Sequence, residues 1–221
     1  MKFRRFRKFY GLELLPISHS ETTLGDLVWK PARNRACLVK RGMANHIYNV
    51  FSDLGLVTDR EWMSAMNFFE SEAHYPAELG DLRIDTGTSF ARSFDHPVVQ
   101  LLPIEMEDSN FESFTFTQLR RRHITGLWRR KIQNHLGNIP PGDYQEIAKR
   151  HRPIHLITEL YYGNIAYHTD RKGSVVLDSL LKKEGHQSIA RYLRDNDRVY
   201  EFDHHQVPFC MRIEPLIGFK A

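Results

Sequence analysis

The feature that most constrains the fold is a long alternation of apolar and polar residues. In LRIDTGTSFARSF, residues 82–94, the even positions carry Leu, Ile, Thr, Thr, Phe, Arg and Phe, so that the period of two lapses only at Arg92. A turn signal at 95–97 is followed by VVQLLPIEM, and FESFTFT at 111–117 alternates again. Side chains of a strand point to opposite faces in turn. The sequence therefore predicts long strands with one apolar face.

Shorter patterns predict the remaining elements. Gly163-Asn164 lies within IHLITELYYGNIAYHT and is typical of a hairpin turn between two strands. Thr58 and Glu61 have capping-box spacing and predict the start of a helix carrying Trp62, Met66 and Phe69. Further strands are expected at 12–17, 24–30 and 207–213, and further helical segments at 2–10, 43–54, 124–136, 143–150 and 188–194. The fold class is α+β, with a twisted, mainly antiparallel sheet flanked by short helices.

Length and composition favour a single domain over residues 1–221. The chain is 41% hydrophobic and 26% charged, it contains no linker-like tract, and no apolar run reaches the roughly 20 residues of a spanning helix. The start lacks the apolar segment of a secretory signal. Two cysteines, Cys37 and Cys210, cannot supply a disulfide framework and are expected to be buried thiols. We expect a cytoplasmic protein.

Basic residues are concentrated in two places, although the net charge is only +4. The first is MKFRRFRKFYG, where Phe3, Phe6 and Tyr10 would form one stripe of a helix. The second follows the strand at 111–117. Their members are Lys2, Arg4, Arg5, Arg7 and Lys8 in the first cluster and Arg120, Arg121, Arg122, Arg129, Arg130 and Lys131 in the second. Such surfaces occur as solvated faces, as sites on anionic bilayers and as RNA or DNA contacts, and the charges alone leave these alternatives open.

Common catalytic and metal-binding motifs are missing from the sequence. The sequence contains no P-loop, no G-x-G-x-x-G and no G-x-S-x-G. His151 and His155 flank Pro153, and on an extended strand they would lie about 13 Å apart, too far to share one ion. We therefore expect neither an enzyme nor a bound metal or cofactor.

Four segments resemble the pore-forming domain of the gasdermin family. TLGDLVWKPARNRACLVKRG with IYNVFSDLG is similar to an early region of that domain, and FESFTFTQL with ITGLWRRKIQNHL is similar to a strand leading into a helix. PIHLITELYYGNIAYHT resembles the strand pair that follows, and VYEFDHHQVPFCMRIEPL resembles the closing strand. Residues 70–110 resemble that domain only in their general character and not residue by residue.

The resemblance implies a mechanism of membrane damage. Gasdermin pore domains bind acidic phospholipids through basic patches, oligomerise, and refold two segments into β-hairpins of a transmembrane barrel, which causes pyroptosis-like programmed cell death. The inserting segments would fall within 75–117 and 154–181. The residues implied in lipid binding are Lys2, Phe3, Arg4, Arg5, Phe6, Arg7, Lys8, Arg129, Arg130 and Lys131, and those in the inserting strands are Leu82, Ile84, Phe90, Leu156 and Leu160.

The same resemblance implies partners and location. The partners would be an acidic phospholipid membrane and either further copies of the chain or a variant of the same family, without nucleic acid. The protein would act at the inner face of the plasma membrane. Only eight residues follow Ile213, so no separate C-terminal inhibitory domain is expected. This favours the fungal members that act in allorecognition. The alternative is a basic RNA- or DNA-binding domain.

Overall fold

One antiparallel sheet organises the described part of the molecule. The computed structural model describes residues 11–15, 22–29, 46–74, 82–85, 111–139, 154–169, 174–175, 178, 190–194, 197–204 and 208–216. Nine strands within these segments form the sheet. They are β1 (Glu13–Leu14), β2 (Leu27–Trp29), β3 (Glu70–His74), β4 (Leu82–Asp85), β5 (Phe111–Ile124), β6 (Ile154–Thr169), β7 (Ala190–Arg194), β8 (Asp197–His204) and β9 (Cys210–Pro215).

Strand β6 is the centre of this sheet. One of its edges pairs with β5 and, towards its start, with β2. Its other edge pairs first with β9 and then with β8, and β1 and β7 extend the sheet beyond those two strands. The outer edge of β5 pairs with β3 and with β4. All of these pairings are antiparallel, which confirms the predicted fold class.

Residues 154–169 form one continuous strand, so the predicted hairpin turn at Gly163-Asn164 is wrong. Gly163 lies in mid-strand, opposite a register shift in β5 between Thr117 and Arg120, where Gln118 has a φ of 51°. A Cβ atom on Gly163 would lie 2.5 Å from the carbonyl oxygen of Thr117. Glycine is therefore needed here for the close approach of two strands at a bulge rather than for a turn.

Two other elements differ from the sequence-based expectation. The strand predicted at 111–117 continues through the arginines to Ile124 because β3 and β6 pair with its second half. Residues 190–194, expected to be helical, form β7 because they pair along β8. In both places hydrogen bonding to a neighbouring strand overrides the local preference.

Three described helices cover one face of the sheet. They are α1 (Ile47–Asp53), α2 (Asp59–Phe68) and α3 (Gly126–Asn138). The Thr58 side chain accepts a hydrogen bond from the Glu61 N–H at 3.3 Å, which confirms the predicted start of α2. The core between helices and sheet contains Phe51, Trp128, Ile132, Leu160 and Met211, all fully or nearly fully buried.

Other predicted elements are confirmed or lie outside the described residues. The helix expected at 43–54 is α1, and the strands expected at 12–17, 24–30 and 207–213 are β1, β2 and β9. Cys210 is buried and free. The helices predicted at 2–10 and 143–150, the strand segments at 86–106, and Cys37 lie outside the described residues.

Candidate functional site

Helix α3 carries the second predicted lipid-binding patch and is fixed at its start to the sheet and to α2. Thr125, its N-cap residue, follows the last residue of β5, and the Thr125 N–H donates to the Phe69 carbonyl at 3.2 Å. Trp128, Ile132 and Leu136 recur with helical spacing and are buried. Burial of this stripe directs the intervening basic residues away from the core.

The three basic residues of the predicted patch have different surroundings. Arg129 forms an ion pair with Glu214 of β9. The Lys131 amine lies 3.6 Å from a Glu61 carboxylate oxygen and 4.1 Å from the centroid of the Trp128 ring. Arg130 is exposed and has no ion pair with any described residue. Two of the three cations are therefore held by internal partners, and Arg130 is the one available to an external anion.

Glu61 joins α2 to α3. Besides Lys131, its carboxylate contacts His135 Nε2 at 3.0 Å. Burial raises the pKa of Glu61, but the hydrogen bond and charge of His135, together with Lys131, outweigh burial and hold that pKa below its ordinary value. The carboxylate is consequently ionised at neutral pH and fixes the two helices side by side.

Two arginines of β5, Arg121 and Arg122, also have acidic partners within the sheet. Arg122 pairs with Glu70 of β3 and lies 5.9 Å from the Tyr162 ring centroid. Glu159 accepts from Arg121 at 3.4 Å and from Arg212 at 2.8 Å, and the Tyr161 hydroxyl also donates to it. These ion pairs hold neighbouring strands together. The sequence did not indicate them, because Glu70, Glu159 and Arg212 are distant along the chain.

The first predicted inserting segment is described in part. Leu82 and Ile84 of β4 pair with Phe116 and Phe114 of β5. Phe90 lies outside the described residues, as do all seven predicted lipid-binding residues of the N-terminal cluster, from Lys2 to Lys8.

The second predicted inserting segment begins with β6. Leu156 and Leu160 lie in the main core and are 0% and 1% exposed. They would reach a membrane only if β6 separated from the helices that cover it. Their membrane role stays a prediction.

A cavity of about 220 Å³ lies between α2 and the sheet. Its lining includes His46, Phe69, Glu70, Arg122 and Tyr162. The Glu70 and Arg122 side chains pair with each other, and burial lowers the pKa of His46 to about 4, so its imidazole is neutral at pH 7. Within the described segments no three His, Cys, Asp or Glu residues are grouped to hold a metal ion, and none of the helices there is long and apolar enough to cross a membrane.

The two most exposed large apolar residues in the described segments were not anticipated from the sequence. The side chain of Phe68, at the end of α2, is 70% exposed, and that of Leu127, in the first turn of α3, is 65% exposed. The apolar residues predicted for this helix were Trp62, Met66 and Phe69. Phe69 is buried and Trp62 is half-buried, but Met66 is exposed, and Phe68 was not among them. The sequence signal that could have indicated this exposure is the position of Phe68 outside the predicted apolar stripe of its helix.

The fold defines this chain as an α+β protein with helices on one face of an antiparallel sheet. Its structure is similar to that of a bacterial gasdermin from Bradyrhizobium tropiciagri, at 12% sequence identity and a TM-score of 0.42, over 93% of this chain and 82% of that chain. A likeness this distant carries no argument about function, and the fungal branch stays a prediction. No family model matches the sequence. No curated protein matches it either.

Proposed function

We propose that this chain is a membrane pore-forming protein that binds acidic phospholipids, oligomerises and inserts β-hairpins to cause regulated cell death. The proposal starts from the sequence resemblance to gasdermin pore domains. One observation in the structure supports it more than any other, namely the pairing of β4 with β5 inside the first proposed inserting segment.

The register of β4 and β5 aligns their apolar positions. Leu82 lies opposite Phe116 and Ile84 lies opposite Phe114, while Arg83 lies opposite Thr115. Directly opposed residues occupy the same face of an antiparallel pair, so this register puts the apolar positions of the two strands opposite one another and the polar positions likewise. A hairpin that crosses hydrocarbon needs this same alternation.

The second segment would have to exchange one apolar environment for another. Leu156 and Leu160 are buried against the helices. Moving a leucine from a protein core into hydrocarbon costs little transfer free energy, whereas moving it into water costs about 2 kcal/mol. Insertion of β6 is thus favourable only where lipid or neighbouring copies receive its side chains, which accords with oligomerisation on a membrane.

The proposed partners follow from charge. The N-terminal cluster combines five basic residues with interleaved aromatics, which suits an anionic leaflet such as the inner face of the plasma membrane. The pore would be formed by identical copies or together with a variant of the same family, as in allorecognition. The protein would act without catalysis or a cofactor.

Release of a trapped dye from liposomes tests this function. Liposomes of phosphatidylcholine alone are compared with liposomes that also contain phosphatidylserine, using the wild-type chain and a variant with Lys2, Arg4, Arg5, Arg7 and Lys8 changed to Ala. We expect release that requires phosphatidylserine and is strongly reduced in the variant. If the wild-type chain binds without release, addition of a family variant should restore release.

Absence of both binding and release would contradict the membrane function. The alternative, a basic RNA- or DNA-binding domain, then becomes the leading hypothesis. It predicts nucleic-acid affinity that falls steeply as salt concentration rises.

A further inference from the structure

Helices α2 and α3 run antiparallel, and the end of α2 lies beside the start of α3. Glu61, in the first turn of α2, contacts Lys131 and His135 in the middle and last turns of α3. At the other end, the Phe69 carbonyl accepts from the Thr125 N–H. We call this second meeting point, with its nearby exposed residues Phe68, Leu127 and Arg130, the helix corner.

Helical spacing brings the two exposed apolar residues to the same side of this layer. Phe68 follows Glu61 by two turns and therefore lies on the side of α2 that faces α3. Leu127 precedes Lys131 by one turn and therefore lies on the side of α3 that faces α2. Because the helices are antiparallel and Glu61 contacts Lys131, Phe68 and Leu127 project at neighbouring positions of the corner.

The described residues near the helix corner leave one positive charge uncompensated. Near it, Arg122 is paired with Glu70, Arg129 with Glu214 and Lys131 with Glu61. Arg130 lies one turn after Leu127 and is exposed, and no described carboxylate compensates it. An external anion therefore meets an uncompensated guanidinium beside two solvent-exposed apolar side chains.

We propose that the helix corner docks on an anionic bilayer, with Phe68 and Leu127 inserted at the boundary of headgroups and acyl chains and Arg130 bound to a lipid phosphate. Aromatic and leucine side chains beside a basic residue are the usual composition of interfacial anchors. This inference rests on the proposed function and adds to it two apolar anchors that the predicted lipid-binding residues do not include.

The size of the apolar surface favours a bilayer over a protein partner. A stable protein interface buries roughly 800 Å² on each side. One phenylalanine and one leucine supply only a fraction of that area, since a large aromatic side chain buries about 150–250 Å². A bilayer needs no matching surface, and its affinity grows with each apolar side chain that is inserted.

Co-sedimentation with vesicles made of equal parts phosphatidylcholine and phosphatidylserine tests this site. We expect the double variant Phe68→Ser, Leu127→Ser to bind at least roughly tenfold more weakly than the wild-type chain. Arg130→Gln should weaken binding about fivefold, and Arg130→Lys should largely restore it. Phe68→Trp should bind at least as well as the wild-type chain, because tryptophan favours the membrane interface.

Matched controls come from α2. Met63 is 55% exposed and Arg60 is exposed, and both lie on α2 away from the corner. Met63→Ser and Arg60→Gln should leave vesicle binding unchanged. Because all five residues are exposed, circular dichroism should show the same fold in every variant.

The outcomes separate this inference from the proposed function. If the wild-type chain binds and permeabilises the vesicles but the double Ser variant binds equally well, the docking corner is wrong and the pore-forming function stands. If the control variants lose as much affinity as the corner variants, the site is also wrong. If the wild-type chain neither binds nor permeabilises the vesicles, the proposed function itself fails.

Discussion

His46 shows how a single side chain holds a helix against the sheet. Its Nδ1 atom accepts from the Tyr48 N–H at 3.3 Å and so caps α1, while the ring also hydrogen-bonds the Leu24 backbone. The adjacent Gly25 has a φ of 86°, and a Cβ atom there would lie 2.5 Å from His46 Nε2. The histidine is packed against a turn that only glycine can form, which is why burial lowers its pKa to about 4.

This histidine predicts a loss of stability in mild acid. The folded-state pKa is lowered from 6.5 to about 4, so between those values the unfolded chain binds a proton that the folded chain does not. The contribution of His46 is therefore present above pH 6.5 and falls by about 3 kcal/mol as the pH falls to about 4. Urea unfolding across this range, comparing the wild-type chain with His46→Asn, measures it.

The comparison removes the contributions of other titrating groups. The His46→Asn variant still offers a cap acceptor, but its amide does not titrate. The backbone of Asp26 forms an isolated β-bridge with His46. Burial raises the pKa of Asp26, and its hydrogen bonds with Thr23 only partly offset this. Asp26 therefore favours the folded state as the pH falls, opposite to His46, and it does so equally in both proteins. Equal pH dependence in the two proteins would contradict the assignment.

At the level of elements, the bulge of β5 against β6 decides the shape of the central strand pair. The register shifts between Thr117 and Arg120. A Cβ atom added to Gly163 would contact the Thr117 carbonyl oxygen and would lie 3.2 Å from Leu119 Cδ2. An additional methyl group there would push on backbone, which cannot move as a side chain can. The strands would have to separate locally.

Substitution of Gly163 tests this packing. Gly163→Ala should lower the free energy of unfolding by about 2 kcal/mol, because overpacked sites usually cost about 1–3 kcal/mol. Gly137 in α3 is a matched control, since nothing lies within 4 Å of its added Cβ. Gly137→Ala should raise stability by about 0.5–1 kcal/mol. Chemical denaturation checks both, and a neutral or stabilising Gly163→Ala would contradict the close approach.

At the scale of the whole molecule, residues of β6 that are buried in the structure would contact lipid or neighbouring copies in the proposed membrane state. The face of β6 with Leu160 is covered by α1–α3, while ion pairs centred on Glu159 join β5, β6 and β9. Pore formation would require the helices to separate from β6. The exposed helix corner would contact lipid without any such change, so binding and insertion are expected to be separable steps.

Carboxylates on the apolar face of the first segment should separate those steps. Changing Leu82, Ile84 and Phe90 to Asp should abolish dye release while leaving vesicle binding intact, because each carboxylate facing lipid costs several kcal/mol near the bilayer centre. Arg83→Asp is the control on the opposite face of β4, where Asp85 already carries a carboxylate, and it should retain release. Release that survives the triple change would show that this segment does not insert.

The sequence determined those features that depend on local patterns. Alternation of apolar and polar residues identified the strands at 82–85 and 111–117. Apolar residues one turn apart identified the buried face of α3, and Thr58 with Glu61 marked the start of α2. Each of these signals is complete within one turn or one strand. For that reason the α+β class and the position of the basic patch on α3 could be predicted without a structure.

Only the tertiary structure decided what depends on distant partners. Gly163 and Asn164 have the composition of a turn, but the bulge of β5 makes them the middle of a strand. Arg129 and Lys131 look equivalent to Arg130, yet Glu214 and Glu61 hold the first two and leave the third available. Strand pairing and charge compensation join residues far apart along the chain, and local sequence carries no record of such contacts.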